Sequence, residues 1–180
     1  MTQETRNGEY GWTAKQKDVT QVVSFQLHDE EYAIEITKVK EIILVAGITR
    51  VPQMPDFIEG IINLRGNVIP VLDLRKRFGL PGKALDDQTR IVVTRMDARI
   101  VGLIVDSVSQ VMKLPNADIQ DPPETIAGLA GEYLVGVATV DERLILLLDI
   151  ERIMNAEERS LLAEAPERVA GVGNEAATPS

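Results

Sequence analysis

The chain has 180 residues, 44% of them apolar, with a net charge of −9, a pI near 4.7 and only 4% aromatic residues. That balance argues against a nucleic-acid groove, which needs clustered Lys and Arg with stacking rings, and against an anionic membrane surface. No cysteine is present, which excludes disulfides, thiolate metal sites and cysteine nucleophiles.

A chain of this length buries roughly 70% of its extended surface, enough for one compact domain or two very small ones. Residues 1 to about 20 are polar and unpatterned and read as a flexible leader. Trp12 lies in that leader and reads as a solvated residue, with a docking anchor as the other reading. The leader has no apolar segment of the kind a secretory signal needs. The apolar runs Ile42 to Ile48 and Leu144 to Leu148 are too short to span a bilayer, so a soluble cytoplasmic protein is the expectation.

Val22 to Leu27 and Glu31 to Ile36 flank the polar His28-Asp29-Glu30 and read as a hairpin. Thr37 then reads as the N-cap of a helix over Lys38 to Leu44, with Val39, Ile42 and Ile43 on one face. Shifted by 69 residues, the plan recurs. Ile91 to Met96 and Ile100 to Val105 flank Asp97-Ala98-Arg99, and Asp106 reads as the cap of a second helix carrying Val108, Val111 and Met112.

A second block recurs at a displacement of 76, placing Gly60 on Gly136 and Asp73 on Asp149. The extra residues fit a longer connection over Lys113 to Glu132, marked as loop by Pro115 and Asp121-Pro-Pro-Glu124. The chain thus contains two repeats, over about 22–80 and 91–155, each a hairpin, a short helix and at least two more strands. Short strands separated by turns point to small barrels or sandwiches. Gly60 and Gly136 mark a positive φ, a bulge or a close approach of backbones. Pro70 belongs at an edge or a bulge because it cannot donate to a ladder. A closing helix is expected from Glu151 to about Ala165, followed from residue 166 by an Ala-, Gly- and Pro-rich tail.

The repeats differ at one corner: Asn63-Leu-Arg-Gly66 in the first stands against Thr139-Val-Asp-Glu142 in the second. The residues alone leave two readings, a hairpin turn with Arg65 as a solvated charge beside it, or Arg65 as a recognition residue. Catalytic signatures are thin. His28 is the only histidine and reads as a surface residue. Gly79-Leu-Pro-Gly82-Lys83 is too short for a phosphate loop. Asp73 and Asp149, one per repeat, superficially match an aspartic dyad. They lack the following hydroxyl residue and glycine, which favours strand-end or capping carboxylates.

Asn63-Leu-Arg-Gly66, set between Pro55-Asp-Phe-Ile-Glu-Gly60 and Val68-Ile-Pro-Val-Leu-Asp-Leu74, resembles the corner motif of the CheW family of bacterial chemotaxis coupling proteins. Asp29 to Ile36 with Lys38 to Ile42, Asp73-Leu-Arg-x-Arg-Phe78, Val101 to Asp106 with Val108 to Val111, and Leu144 to Asp149 extend the resemblance over residues 21 to about 160. It implies an all-β-dominated fold: two small five-stranded SH3-like β-barrels packed together, with short helices and a C-terminal helix. It implies an adaptor without enzymatic activity, metal or cofactor. Its expected partners are the cytoplasmic tips of chemoreceptors (methyl-accepting proteins) and the regulatory domain of the histidine kinase CheA. By the same resemblance Val39, Glu41, Ile42, Gly60, Asn63 and Arg65 are receptor-contact positions, while the kinase-contact residues stay unassigned. A cytoplasmic protein recruited to membrane-associated receptor arrays is implied. An oligonucleotide-binding barrel using Phe25, Tyr32 and Tyr133, and a hydrolase using Asp73 and Asp149, are the competing classes.

Overall fold

A computed structural model describes residues 18–123 and 132–164. The leader up to residue 17, with Trp12, and the tail from residue 165 lie outside the described residues. The β-branched runs form eleven strands among the described residues. They are β1 (Val19–Leu27), β2 (Glu30–Glu35), β3 (Val39–Leu44), β4 (Ile58–Leu64), β5 (Asn67–Asp73), β6 (Arg90–Met96), β7 (Arg99–Val105), β8 (Ser107–Pro115), β9 (Ile119–Gln120), β10 (Leu134–Val140) and β11 (Arg143–Leu148). A single helical turn, α1 (Leu74–Arg77), follows β5, and residues 156–164 form a C-terminal helix.

Three expected helical segments differ. Only Ile36–Lys38 coil, as a 3-10 turn with no side-chain cap, and the segment read as a helix after Thr37 is strand β3. The segment after Asp106 is likewise β8. In both places the segment lies beside an open strand edge, β6 for the first and β1 for the second, and the ladder outweighs a short helix with a costly nucleus. The closing helix is broken: Ile150–Arg152 make a 3-10 turn, and the helix proper starts at 156. Asn155 and Glu158 restart it as a reciprocal cap, Glu158 N–H donating to Asn155 Oδ1 at 2.8 Å and Asn155 N–H to Glu158 Oε1 at 2.9 Å.

The strands form a six-stranded sheet, β8-β1-β2-β11-β10-β9, and a five-stranded sheet, β3-β6-β7-β5-β4. Each sheet mixes the two sequence repeats, taking the leading hairpin of one and the trailing strands of the other. The exchange is symmetric. β2 joins β11 in parallel in one sheet, and β7 joins β5 in parallel in the other. Each sheet curls until its two edges meet. In the five-stranded sheet Thr49, just beyond β3, bridges Ile61 of β4 through two backbone bonds of 2.9 and 2.8 Å. In the other, β9 pairs with β10.

The apolar residues divide into separate clusters. Val22, Ala33, Leu114, Ile145 and Leu147 fill the six-stranded barrel, and Ile62, Ile69, Val71, Ile91 and Ile104 fill the five-stranded one. A larger cluster lies between them and includes Phe25, Tyr32, Leu72, Phe78, Leu103, Tyr133 and Leu148. An aromatic row, Phe25–Tyr32–Phe78–Tyr133, runs through this interface with centroid spacings of 6.2, 5.6 and 5.3 Å. The fold is therefore the expected pair of packed barrels with a C-terminal helix.

The repeated glycines sit where each barrel closes. Both strands carry a bulge there, between Ile58 and Gly60 and between Leu134 and Gly136. A Cβ on Gly60 would stand 2.2 Å from the Thr49 carbonyl oxygen, and one on Gly136 would stand 2.5 Å from Ile119 Cγ2. Pro70 pairs with Ile61, in the part of β5 that precedes its contact with β7 at Val71. Its missing N–H therefore costs that ladder nothing.

Candidate functional site

The corner with Arg65 is a two-residue hairpin loop between Leu64 and Asn67. Arg65 and Gly66 have φ of 51° and 87°, as a type I′ turn requires, and Asn63 Oδ1 accepts the Gly66 N–H at 2.9 Å. Arginine is not a residue that such a turn favours at its first position. The chain holds it there against a local preference.

What the guanidinium meets is Glu41. Arg65 Nη1 donates to Glu41 Oε1 at 3.1 Å, and Nη2 completes the fork to Oε2. β3 and β4 are opposite edges of the five-stranded sheet, so this bidentate pair straps the seam beside the Thr49–Ile61 bridge. Arg65 stays 69% exposed and Glu41 30%. The Arg65 hydrogen bond holds the Glu41 carboxyl below the usual glutamate range, and the same bond pushes the guanidinium up.

Of the expected contact residues, the structure brings Glu41, Asn63 and Arg65 together, with Gly60 at the seam. Val39 and Ile42 do not share a face as the helical reading required. In the extended strand Val39 is half-buried against the inter-barrel cluster, whereas Ile42 is 39% exposed. Helical periodicity also hid Leu44, which is 66% exposed. Ile42 and Leu44, two apart in β3, lie on one face, a relationship that period-two reading would have found.

The competing residues have structural tasks. Asp73 accepts the Arg75 N–H at 2.9 Å, and Asp149 accepts the Glu151 N–H at 3.0 Å, so each caps its own following turn. Asp106, expected as a helix cap, instead takes Arg75 Nε at 2.7 Å and the His28 N–H at 2.8 Å where the chain crosses between the sheets. Phe25, Tyr32 and Tyr133 are buried at the barrel interface, which leaves the oligonucleotide reading without its stacking platform.

Residues 21–158 match the CheW-like domain family. The chain belongs to the CheW family. The chemotaxis protein CheW of Klebsiella aerogenes is 42% identical over 138 residues, covering 77% of this chain and 83% of that protein. The CheW of Helicobacter pylori is 35% identical over 147 residues, covering 80% and 88%. The protein FrzA of Myxococcus xanthus is 32% identical over 143 residues, covering 77% and 88%. Among solved structures, the scaffolding protein TtCheW of Thermoanaerobacter tengcongensis superposes with a TM-score of 0.71 at 35% identity, covering 77% of this chain and 90% of that one. CheW proteins are chemotaxis scaffolds rather than enzymes, in keeping with a corner built from an ion pair and exposed aliphatic side chains. No helix among the described residues is long and apolar enough to cross a membrane.

Proposed function

We propose that this chain is an adaptor that couples chemoreceptors, the methyl-accepting chemotaxis proteins, to the histidine kinase CheA. The observation that carries the reading is the Arg65–Glu41 fork, held at an exposed corner by a turn that does not favour arginine. Helical receptor tips offer aliphatic ridges and carboxylates. Ile42 and Leu44 supply apolar contact, and the Arg65 fork supplies charge-assisted donors to a carboxylate or a backbone carbonyl. Glu41 and Asn63 fix where those donors point, Gly60 allows the seam to close beneath them, and Val39 anchors the start of β3 to the inter-barrel core.

The kinase surface has no residue assignment. Two similarly shaped barrels with different faces suit a bridging protein whose head-to-tail contacts close into rings, with firmness arising from many modest contacts. The protein acts from the cytoplasm, recruited to membrane-associated receptor arrays. The deciding experiment mixes the purified chain with a receptor cytoplasmic fragment and CheA and follows co-sedimentation. All three are expected in one assembly, and Arg65→Ala is expected to lose the receptor while keeping the kinase. Equal receptor recovery with the variant would remove the corner from the site.

A further inference from the structure

Two ion pairs tie the places where the chain crosses between the sheets, and they stand at corresponding positions of the two repeats. After β5, Arg75 Nε donates to Asp106 Oδ1 at 2.7 Å and Nη2 to Oδ2 at 2.5 Å, where the chain passes from β7 to β8. Asp106 is itself fixed to the six-stranded barrel: its N–H donates to the Gln26 carbonyl at 3.0 Å, and its Oδ2 accepts the His28 N–H at 2.8 Å. The repeat displacements of 76 and 69 set Arg75 against Glu151 and Asp106 against Thr37. There, where the chain passes from β2 to β3, Lys38 beside Thr37 donates to Glu151 Oε1 at 3.2 Å. The polarity of the second pair is reversed, and so is its quality. Arg75 and Asp106 are 12 and 13% exposed and make a fork, whereas Lys38 and Glu151 are 41 and 31% exposed and make one bond. A sheltered fork is hard to break, and a single solvated pair contributes little. Arg159 spans the same weak side, bonding Asp97 and the Glu151 carbonyl, but its buried Nε has no hydrogen-bond partner among the described residues. An unpaired buried donor is costly, and an opening that admits water relieves it.

We propose that the two barrels rock about the Arg75–Asp106 fork as a pivot, with the Lys38–Glu151 pair and Arg159 forming a latch that opens and closes on the other side. The aromatic row packed between the barrels keeps the amplitude small. Lys38 is directly followed by Val39 and by the strand that carries Glu41 and Ile42, so the state of the latch sets how β3 sits against the six-stranded barrel. A partner that binds the Arg65 corner better in one latch state shifts the angle between the barrels, and thereby alters the far barrel without touching it. That consequence rests on the adaptor reading; the rocking itself does not.

The absence of cysteine permits a direct test in the full chain. Nitroxides on Arg95→Cys in the five-stranded sheet and Lys113→Cys in the six-stranded one, both exposed, report the angle between the barrels as a distance distribution by pulsed electron spin resonance. Lys38→Glu is expected to broaden that distribution while leaving the melting temperature within about 2 °C, as surface changes usually do. Adding Glu151→Lys, which restores the pair with its charges exchanged, is expected to narrow it again. Raising the native chain to high salt should act like Lys38→Glu, because the latch pair is solvated and the pivot is sheltered. Arg75→Met, which removes the pivot, should lower the melting temperature by several degrees. A distribution unchanged by Lys38→Glu overturns the proposal. So does one that the exchanged pair fails to narrow, or an equal melting loss from Lys38→Glu and Arg75→Met. A receptor fragment that binds is expected to shift the distribution, and binding without a shift would overturn only the link to the corner. A fragment that fails to bind would count against the adaptor reading, while the distances measured without it still decide the rocking.

Discussion

Arg65 and Asp141 occupy the same position of the same two-residue turn in the two repeats, at φ of 51° and 49°, with opposite charge. The turn geometry selects neither residue, since both sit in left-handed backbone that glycine or asparagine adopts more readily. Their companions differ as well. Glu41 answers Arg65, whereas its counterpart 69 residues on is the neutral Gln110. The charge at each corner is therefore not set by the turn itself.

Replacing Arg65 separates folding from binding. Arg65→Asn creates the Asn-Gly pair that a type I′ turn prefers, so the melting temperature is expected to rise while affinity for a receptor fragment falls. Arg65→Ala should leave the melting temperature within about 2 °C, as surface changes usually do, and also weaken binding. Calorimetry beside a binding titration checks both, and equal affinity across the three chains would make the arginine a strap only.

Lysine is not a conservative substitute here. Arg65→Lys keeps the charge but loses the fork, so receptor affinity should fall between those of the native chain and Arg65→Ala. Glu41→Gln leaves the guanidinium without its partner, and the two changes together should lose less than the sum of each alone. A double-mutant cycle with additive losses would show that the pair does not act as a unit.

The pair also sets a pH window. The depressed Glu41 carboxyl contributes stability that is present above the ordinary value of 4.5 and is lost as pH falls through the lower folded value. A carboxyl-carbon NMR titration should find the Glu41 midpoint below 4.5, moving back toward it in Arg65→Ala. A native midpoint at or above that value would mean the fork does not persist in solution.

The two seam glycines should differ in severity. On Gly60 an added Cβ meets the backbone oxygen of Thr49 at 2.2 Å at a φ of 157°, whereas on Gly136 the shortest approach, 2.5 Å, is to a side-chain atom, Ile119 Cγ2, and the nearest backbone atom, the Gln120 oxygen, is 3.3 Å away. Gly60→Ala is expected to cost about 3 kcal/mol and Gly136→Ala about 1 kcal/mol. Gly136→Val should destabilise more than Arg65→Ala. Denaturant midpoints decide, and equal losses at the two glycines would contradict the seam geometry.

Arg77 holds the C-terminal helix to the barrels. Its Nε donates to the Ile153 carbonyl at 2.6 Å, its Nη atoms bond Glu158 at 3.0 and 2.9 Å, and its Cζ lies 4.4 Å from the Phe57 ring centroid. Arg77→Ala strands a largely buried Glu158 and is expected to cost about 3 kcal/mol. Hydrogen exchange should show residues 156–164 losing protection before the sheets do. Uniform loss across the chain would place the arginine in the global core instead.

The sequence made the hairpins, the repeat and the two seam glycines legible because period-two patterning and turn residues are local signals. The Arg65 corner was visible as an interruption between strands, but its ion pair was not, since Glu41 lies 24 residues away and reaches it only after the barrel curls. Val39 to Leu44 misled because Val, Ile and Ile at positions 39, 42 and 43 fit a helical face as well as a strand. The edge of β6 decided the matter, and no local window contains it. The mixing of repeats between the sheets was equally hidden, as the repeats specify their strands but not which copy they join.

The parallel pairings of β2 with β11 and of β7 with β5 carry a lesson about ancestry. A single ancestral copy could not have completed either barrel alone; it would have folded by lending its hairpin to an identical neighbour and borrowing one in return. The two halves of this chain are related to each other as the protomers of such a swapped dimer would be. Cutting between α1 and β6 should therefore yield two pieces that find structure only in each other's company.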